Sequence, residues 1–345
     1  MSEFKVLSLD GGGIRGAFTA SFLATIESQT GSRASECFDL YAGTSTGGIV
    51  ATALAAGYSA DQLVDFYRDK GPAIFTPYQP ELPWRQRQVM RLIRWFSRSA
   101  NGPAIFHAKY DAVALRHALD EVFEGRTLGD LDRRLLIPSV NLVKGQTKIF
   151  KTPHLTDYFH DKTVRLADAL MATTAAPTYF PSAVIESGSA YCDGGVWANN
   201  PAIVAYAEVC RIAKSPQKTP ISRVIQLGDI KMLSVGTGNR TYSFEPPGCN
   251  AGLAAWGPRL FEVSGTAQSQ GATFQAAYLL GERFKRVDYE LPDKSWHLDA
   301  VEATEKLIHL GREVAAEQLK NGVEEFFVSV AERYRPCGKS SLTTA

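Results

Sequence analysis

A serine placed to act as a nucleophile is indicated by the run Gly43-Thr44-Ser45-Thr46-Gly47. Such a serine lies on a sharp turn between a strand and a helix, in a strained backbone conformation that exposes its hydroxyl. Only small residues two positions away leave room for that turn, and Gly43 and Gly47 meet this need. The helix that follows begins with electropositive amides beside the hydroxyl. The pattern therefore predicts acyl transfer through Ser45.

A second glycine-rich run, Asp10-Gly11-Gly12-Gly13-Ile14-Arg15-Gly16, can present backbone amides to an anion. It also satisfies the G-x-G-x-x-G dinucleotide fingerprint, but that fingerprint expects an acidic residue at the end of the second strand. Here the second strand ends in the Ser45 turn. In acyl transfer the anion is the oxyanion of the tetrahedral intermediate, and each well-placed donor contributes about 3 kcal/mol. We therefore expect oxyanion donors in the amides of Gly11, Gly12, Gly13 and Thr46.

A base for this serine is offered by Asp193, in the run Tyr191-Cys192-Asp193-Gly194-Gly195. A serine hydroxyl is a poor nucleophile until a neighbouring group takes its proton. Asp-Gly is also typical of an ordinary Asx turn, which is the purely structural alternative. A Ser-Asp-His triad would require a histidine after Asp193, which leaves His297 or His309. Neither lies in a glycine-flanked turn, so a dyad of Ser45 and Asp193 is favoured.

The elements that must position these residues alternate between strands and helices. Strands are predicted at Phe4–Leu9, Cys37–Ala42, Leu135–Val140, Lys148–Lys151 and Met232–Val235, with a further strand ending near Cys192. Helices are predicted from Gly16 to about Glu27, after the Ser45 turn, at Ala60–Lys70, at Leu166–Thr173 and within 299–320, while Pro72, Pro77, Pro80 and Pro83 should break any regular element. We expect an α/β fold with a mostly parallel central sheet sandwiched by helices and a helical C-terminal layer.

Composition describes an ordinary globular protein of 345 residues, 45% hydrophobic and 21% charged. The net charge of +1 argues against a nucleic-acid binder. Five scattered cysteines without C-x-x-C spacing favour a reducing cytosol. We expect no secretory signal, and no stretch of the sequence approaches 18 apolar residues. We expect a cytoplasmic protein that acts peripherally on the inner face of the membrane. We also expect a single domain at 1–335, with core motifs at 4–240 and a helix-rich part at 250–335. The tail at 336–345 should be frayed.

Together these motifs resemble those of the patatin-like phospholipase family. Asp10–Gly16 is similar to its D-G-G-G-x-R-G loop, Gly43–Gly47 to its G-x-S-x-G motif and Asp193–Gly195 to its D-G-G/A motif. Secondary matches are the runs 126–131 (RTLGDL), 175–181 (AAPTYFP) and 236–238 (GTG). The similarity covers residues 4 to 240, in the order and spacing of the family.

The resemblance implies Ser45 as nucleophile, Asp193 as general base and an oxyanion hole in the 11–13 loop. It also implies hydrolysis of fatty acyl esters, usually of phospholipids, without a catalytic metal or cofactor. Arg15 would either brace the loop or meet a lipid phosphate, and we favour the brace. Supporting backbone positions are expected at Gly16, Gly43, Gly47, Gly194 and Gly195. Some compact bacterial members resemble effectors that degrade the cell's own membrane in antiphage defence when a cyclic nucleotide arrives, and this chain permits that reading.

A basic amphipathic segment spans Trp84–Arg98. On a helix, one face would carry Arg87, Arg91, Arg94 and Arg98. The pattern is typical of an interfacial membrane binder, of a solvated surface helix, or of a site for an anionic regulatory ligand. Two other functions stay open: an inert binding or storage protein with the same fold, and an NAD(P)-binding oxidoreductase, which the missing acidic residue disfavours. Homo-oligomer formation also stays open.

Overall fold

The computed structural model describes residues 3–78, 107–185, 188–215, 224–239, 253–291 and 295–334. Within these ranges a single eight-stranded sheet organises the fold. Its strands are β1 (Phe4–Leu9), β2 (Leu40–Gly43), β3 (Arg134–Asn141), β4 (Gln146–Lys151), β5 (Ala183–Val184), β6 (Ala190–Asp193), β7 (Ile230–Val235) and β8 (Phe284–Val287). The order across the sheet is β5-β6-β3-β2-β1-β7-β8, and β4 pairs with β3 outside this path.

Helices connect these strands. In the described ranges they are α1 (Gly16–Thr30), α2 (Ala34–Cys37), α3 (Thr46–Ala55), α4 (Ala60–Ile74), α5 (Val113–Phe123), α6 (Leu166–Thr174), α7 (Gly195–Ala198), α8 (Ala202–Ala213), α9 (Leu253–Leu280) and α10 (Thr304–Lys320). Short 3-10 helices lie at Gly13–Arg15, Leu128–Asp130, Leu227–Asp229, Gly281–Arg283, Val301–Ala303 and Val323–Phe327.

Helices cover both faces of the sheet, and β1 at its centre shows this most clearly. All six residues of β1 are buried. Leu7 and Leu9 belong to the core shared with α1, α3, α4 and α10. Phe4 and Val6 pack with α8 and α9 instead. Because alternate side chains of a strand point to opposite faces, the predicted α/β sandwich is confirmed.

Strand β3 holds β2 and β6 along one edge and β4 along the other. Parallel β2 pairs with β3 up to Leu136, and antiparallel β6 pairs with it from Ser139 onward. Leu136 and Ser139 also pair with β4, and a strand residue has one partner on each edge, so β2 and β6 share an edge. Their opposite directions make their C-terminal ends face each other. Asp193, the last residue of β6, therefore lies opposite the turn that follows β2.

Two predicted boundaries are wrong. The expected strand at Cys37–Ala42 begins only at Leu40, because Cys37 is the last residue of helix α2. Asp39 between them accepts the N–H of Lys5 on its carboxylate at 2.8 Å. Pro72 does not end α4, which continues to Ile74. Proline removes one helical hydrogen bond, but the buried side chain of Ile74 holds the last turn in place.

The helix-rich C-terminal part also supplies a strand that the sequence analysis missed. Strand β8 pairs in parallel with β7 along its whole length. The sequence analysis did not predict this strand because its sequence, Phe-Lys-Arg-Val, has two adjacent charged residues, which are untypical of a buried strand. The basic run Trp84–Arg98, Pro80, Pro83 and the tail at 336–345 lie outside the described residues. None of the helices in the described ranges has the length and apolarity needed to cross a bilayer.

Candidate active site

Ser45 occupies the turn between β2 and α3 with φ +54° and ψ −122°. A positive φ is unfavourable for a residue with a side chain, so the turn stores backbone strain as the motif predicts. A Cβ atom added at Gly43 would lie 2.1 Å from the carbonyl oxygen of Gly47. One added at Gly47 would lie 2.3 Å from the carbonyl oxygen of Leu9. Both glycines are therefore required by space.

The hydroxyl of Ser45 meets the carboxylate of Asp193. Ser45 Oγ donates to Asp193 Oδ2 at 2.7 Å, and the amide of Gly195 donates to Oδ1 at 2.6 Å. Asp193 is 1% exposed. A Cβ atom at Gly194 would lie 2.3 Å from the carbonyl oxygen of Pro138, so this glycine lets the chain pass close to β3. The structure thus brings together the two residues that the motifs predict.

Burial changes the proton affinity of this carboxylate. Desolvation raises the pKa of Asp193 to about 7, while the hydrogen bonds from Gly195 and Ser45 oppose that rise. A base whose pKa lies near the operating pH is effective, because it is ionised yet still holds a proton well. The environment of Asp193 therefore suits proton transfer near neutrality.

The glycine-rich loop differs from its prediction at one position. The amide of Gly11 donates to the carbonyl oxygen of Asn199 at 3.0 Å, so it is not an unpaired donor. Among the described residues, the amides of Gly12, Gly13 and Thr46 donate no hydrogen bond to the protein. The amide of Thr46 is in the first turn of α3, where helical amides lack a partner inside the helix. Three of the four expected donors therefore stay available.

Arg15 and Thr237 hold this loop in place. Arg15 donates to the carbonyl oxygens of Gly12 at 3.3 Å and Gly238 at 3.0 Å, in the arrangement expected of a brace. Thr237 Oγ1 donates to the carbonyl oxygen of Gly11 at 2.8 Å. The loop is thereby attached to the end of β7. At Gly16, a Cβ atom would lie 2.2 Å from Thr46 Oγ1, so the loop also packs closely against the Ser45 turn.

The sequence analysis missed an ion cluster beneath the loop, in which Asp10 is buried and Arg286 and Asp288 are partly buried. Arg286 of β8 forms two hydrogen bonds with Asp10, at 2.9 and 2.7 Å, and one with Asp288 at 2.6 Å. Ser269 of α9 donates to Asp10 at 2.8 Å. Asp10 is the first residue of the glycine-rich motif, and this position indicates a role for its carboxylate. Its partner 276 positions away could not be identified from the motif.

A cleft opens beside Ser45 and Asp193, with an empty volume of about 1110 Å³ that includes space open to solvent. Its apolar lining includes the aromatic residues Phe75, Tyr179 and Phe180. The polar lining comes from the glycine-rich loop, the ends of β7 and β8, and α9. This combination can hold an apolar chain and a polar group on either side of a reacting ester.

Histidines take no part in this site. All six lie within the described ranges, and none of them lines the cleft. His154 is fully buried elsewhere, with Nε2 3.1 Å from Glu208. His309 is largely exposed on α10, beside Glu313. In the described part of the chain, no histidine lines the cleft where a third member of a triad would lie.

Comparison with known proteins identifies the family of this chain. The model of the family "Patatin-like phospholipase" matches residues 7–206. The chain is 35% identical to a protein named cGAMP-activated phospholipase from Vibrio cholerae, over 97% of each chain. It is 31% identical to a protein of the same name from Pseudomonas aeruginosa, over 87% of this chain and 82% of that one. VipD from Legionella pneumophila aligns over 90% of this chain and 67% of its own, at 12% identity and a TM-score of 0.40. The chain belongs to the patatin-like phospholipase family.

Proposed function

We propose that the protein is a phospholipase that cleaves fatty acyl esters of membrane phospholipids, with Ser45 as nucleophile and Asp193 as general base. The proposal rests above all on the 2.7 Å hydrogen bond from Ser45 Oγ to Asp193 Oδ2 beside an open cleft. Family membership supports a hydrolase of lipid esters. The strained turn and the buried carboxylate support a serine that is activated rather than merely structural.

In the first half of the reaction, Asp193 takes the proton of Ser45 as Oγ attacks the ester carbonyl carbon. The carbonyl oxygen becomes an oxyanion, which the amides of Gly12, Gly13 and Thr46 would stabilise. Collapse of this intermediate breaks the bond to the alcohol. Asp193 returns its proton to the departing lysolipid oxygen, and the fatty acyl group stays on Ser45.

In the second half, water replaces the alcohol. Asp193 takes a proton from the water as the water oxygen attacks the acyl-serine carbonyl. The same amides hold the second oxyanion. Its collapse releases the fatty acid, and the proton on Asp193 returns to Ser45 Oγ. One carboxylate therefore serves both halves, which is why no histidine is needed.

We also propose that a cyclic nucleotide, cGAMP, switches this activity on. The proposal is supported by two relatives with that activator in their name, which align with 97% and 87% of this chain. An enzyme acting peripherally on the inner face of its own cell's membrane would need such control. A regulated membrane-degrading effector in antiphage defence fits this requirement.

The test is release of fatty acids from phosphatidylethanolamine–phosphatidylglycerol vesicles by the purified protein, with and without cGAMP. We expect release only with the nucleotide, and none from Ser45→Ala at an unchanged melting temperature. A fluorophosphonate probe should label wild type and not Ser45→Ala. A folded wild type that neither releases fatty acid nor takes up the probe would contradict the proposal and favour an inert binding protein. Equal release without cGAMP would contradict only the regulatory part.

A further inference from the structure

Four residues at helical spacing line the cleft: three on α4 and one, Phe75, directly after its last residue. Tyr67, Gly71, Ile74 and Phe75 all line the cleft. Residues three and four positions apart lie on the same side of a helix, so these four form one continuous strip. Gly71 is the one small residue in this strip, and the other three have large apolar or aromatic side chains.

Gly71 lies inside α4 and directly precedes Pro72, whose ring disfavours a helical backbone for a preceding residue that carries a Cβ atom. Glycine therefore has a local use here, although inside a helix it costs about 1 kcal/mol relative to alanine. Its φ is not positive, so the sign of φ does not exclude a side chain. A Cβ atom added there would approach a single neighbour, the tip of Ile14, at 2.8 Å. Beyond that flexible methyl group, the missing side chain leaves space that belongs to the cleft.

The strip starts beside the nucleophile and leads away from it. Tyr67 OH donates to the carbonyl oxygen of Thr46 at 3.2 Å, which fixes this end of the strip next to Ser45. Gly71 lies about one helical turn further, and Ile74 about two, with roughly 5.4 Å for each turn. The rest of the apolar lining includes Leu115, Ala176 and Phe180.

We propose that the acyl chain of the substrate lies along this strip and that the space at Gly71 determines how long a chain the enzyme accepts. The inference rests on the proposed function, since it assigns the acyl side of the same site. Carbons beyond the first helical turn from Ser45 must pass over Gly71. A side chain at this position would shorten the apolar path without touching Ser45, Asp193 or the oxyanion donors.

The experiment compares Gly71→Leu with Ala73→Leu, a matched control that adds a similar side chain on the exposed side of the same helix. Hydrolysis of p-nitrophenyl butyrate and p-nitrophenyl palmitate is measured in the presence of cGAMP. We expect Gly71→Leu to lower kcat/KM for palmitate at least tenfold relative to butyrate, since a misfit of one or more methylenes in an apolar pocket costs roughly tenfold or more. Ala73→Leu should leave the ratio unchanged.

An unchanged ratio in folded Gly71→Leu, or an equal loss on both esters, would overturn the inference while the proposed function stands. If wild type hydrolyses neither ester, the proposed function itself is contradicted. If Gly71→Leu does not fold, Leu115→Trp narrows the same cleft from another lining residue and must give the same selective loss. In vesicle assays the variant should release a fatty-acid mixture shifted to shorter chains.

Discussion

The burial of one carboxylate affects the stability of this protein as well as the proton affinity on which the proposed mechanism depends. Asp193 is buried and receives two hydrogen bonds, yet burial dominates and its pKa rises from 3.8 to about 7. In the unfolded chain the same carboxyl would ionise near 3.8. The folded state therefore binds this proton more tightly, and its stability falls as the pH rises from about 4 through 7.

Asp193→Asn should consequently stabilise the protein at pH 8, where wild type carries a buried charge and the amide does not. The gain should be on the order of a few kcal/mol, because each pKa unit corresponds to about 1.4 kcal/mol. It should shrink as the pH approaches 5. Thermal unfolding at several pH values measures this dependence.

Asp69→Asn is the matched control, since Asp69 is exposed on α4 and its substitution removes no buried charge. A stability difference between Asp193→Asn and wild type that is constant from pH 5 to 8 would show that Asp193 does not titrate in this range. Enzymes commonly trade stability for a reactive group in this way.

At the scale of elements, two strands that end against each other create the site. β2 and β6 share one edge of β3 and approach from opposite directions, so their terminal residues meet. The glycine-rich loop follows the adjacent strand β1. Residues in and directly after β7 and β8 hold it in place. The ion cluster of Asp10, Arg286 and Asp288 is the main connection between that loop and the sheet edge.

Arg286→Met should destabilise the protein by about 3–5 kcal/mol, because it leaves the carboxylates of Asp10 and Asp288 without their buried partner. Ester hydrolysis should fall as well, although Arg286 does not touch the dyad, since the loop loses its support. Urea unfolding and p-nitrophenyl butyrate hydrolysis measure the two effects. Arg283→Met is the control, because Arg283 donates to the carbonyl oxygens of Leu227 and Ile230 rather than to a carboxylate. Equal losses in both variants would refute a special role for the cluster.

For the molecule as a whole, the C-terminal third completes the core. Helix α10 approaches α1 so closely that a Cβ atom at Gly311 would lie 2.6 Å from the carbonyl oxygen of Phe18. Lys5 of β1 donates to the carbonyl oxygens of Phe326 at 2.9 Å and Ser329 at 2.7 Å. The motifs that resemble the family end near residue 240, but the packing that supports them continues to the end of the described chain.

A chain that ends at residue 240 should therefore not fold. It lacks β8 and α10 and leaves the surfaces that bury Leu307, Ile308 and Phe326 uncovered. Each such side chain contributes about 1.5–3 kcal/mol, against a total stability of about 5–15 kcal/mol for a typical protein. Solubility and thermal unfolding of the fragment test this, and a chain ending at residue 335 is the control. Cooperative unfolding of the 1–240 fragment would contradict the prediction of a single domain.

Much of this architecture is predictable from local sequence. The strand at Phe4–Leu9 has its predicted bounds, and the turn at Ser45 follows from glycines that no other residue can replace in that space. Errors arise where a distant partner overrides local preference. Pro72 stays helical because Ile74 is buried, and β8 is a strand because it pairs with β7 and its charged Arg286 contacts the distant Asp10.

The sequence by itself determined the chemical groups of the site: a serine on a strained turn, an aspartate at a strand end and a glycine-rich loop. Those follow from short motifs, whose conformations depend on neighbouring residues. Only the tertiary structure decided that Ser45 and Asp193, 148 positions apart, share a hydrogen bond, and that the amide of Gly11 is already used. It also decided the raised pKa of Asp193, because desolvation depends on everything packed around a group rather than on the residues beside it in the chain.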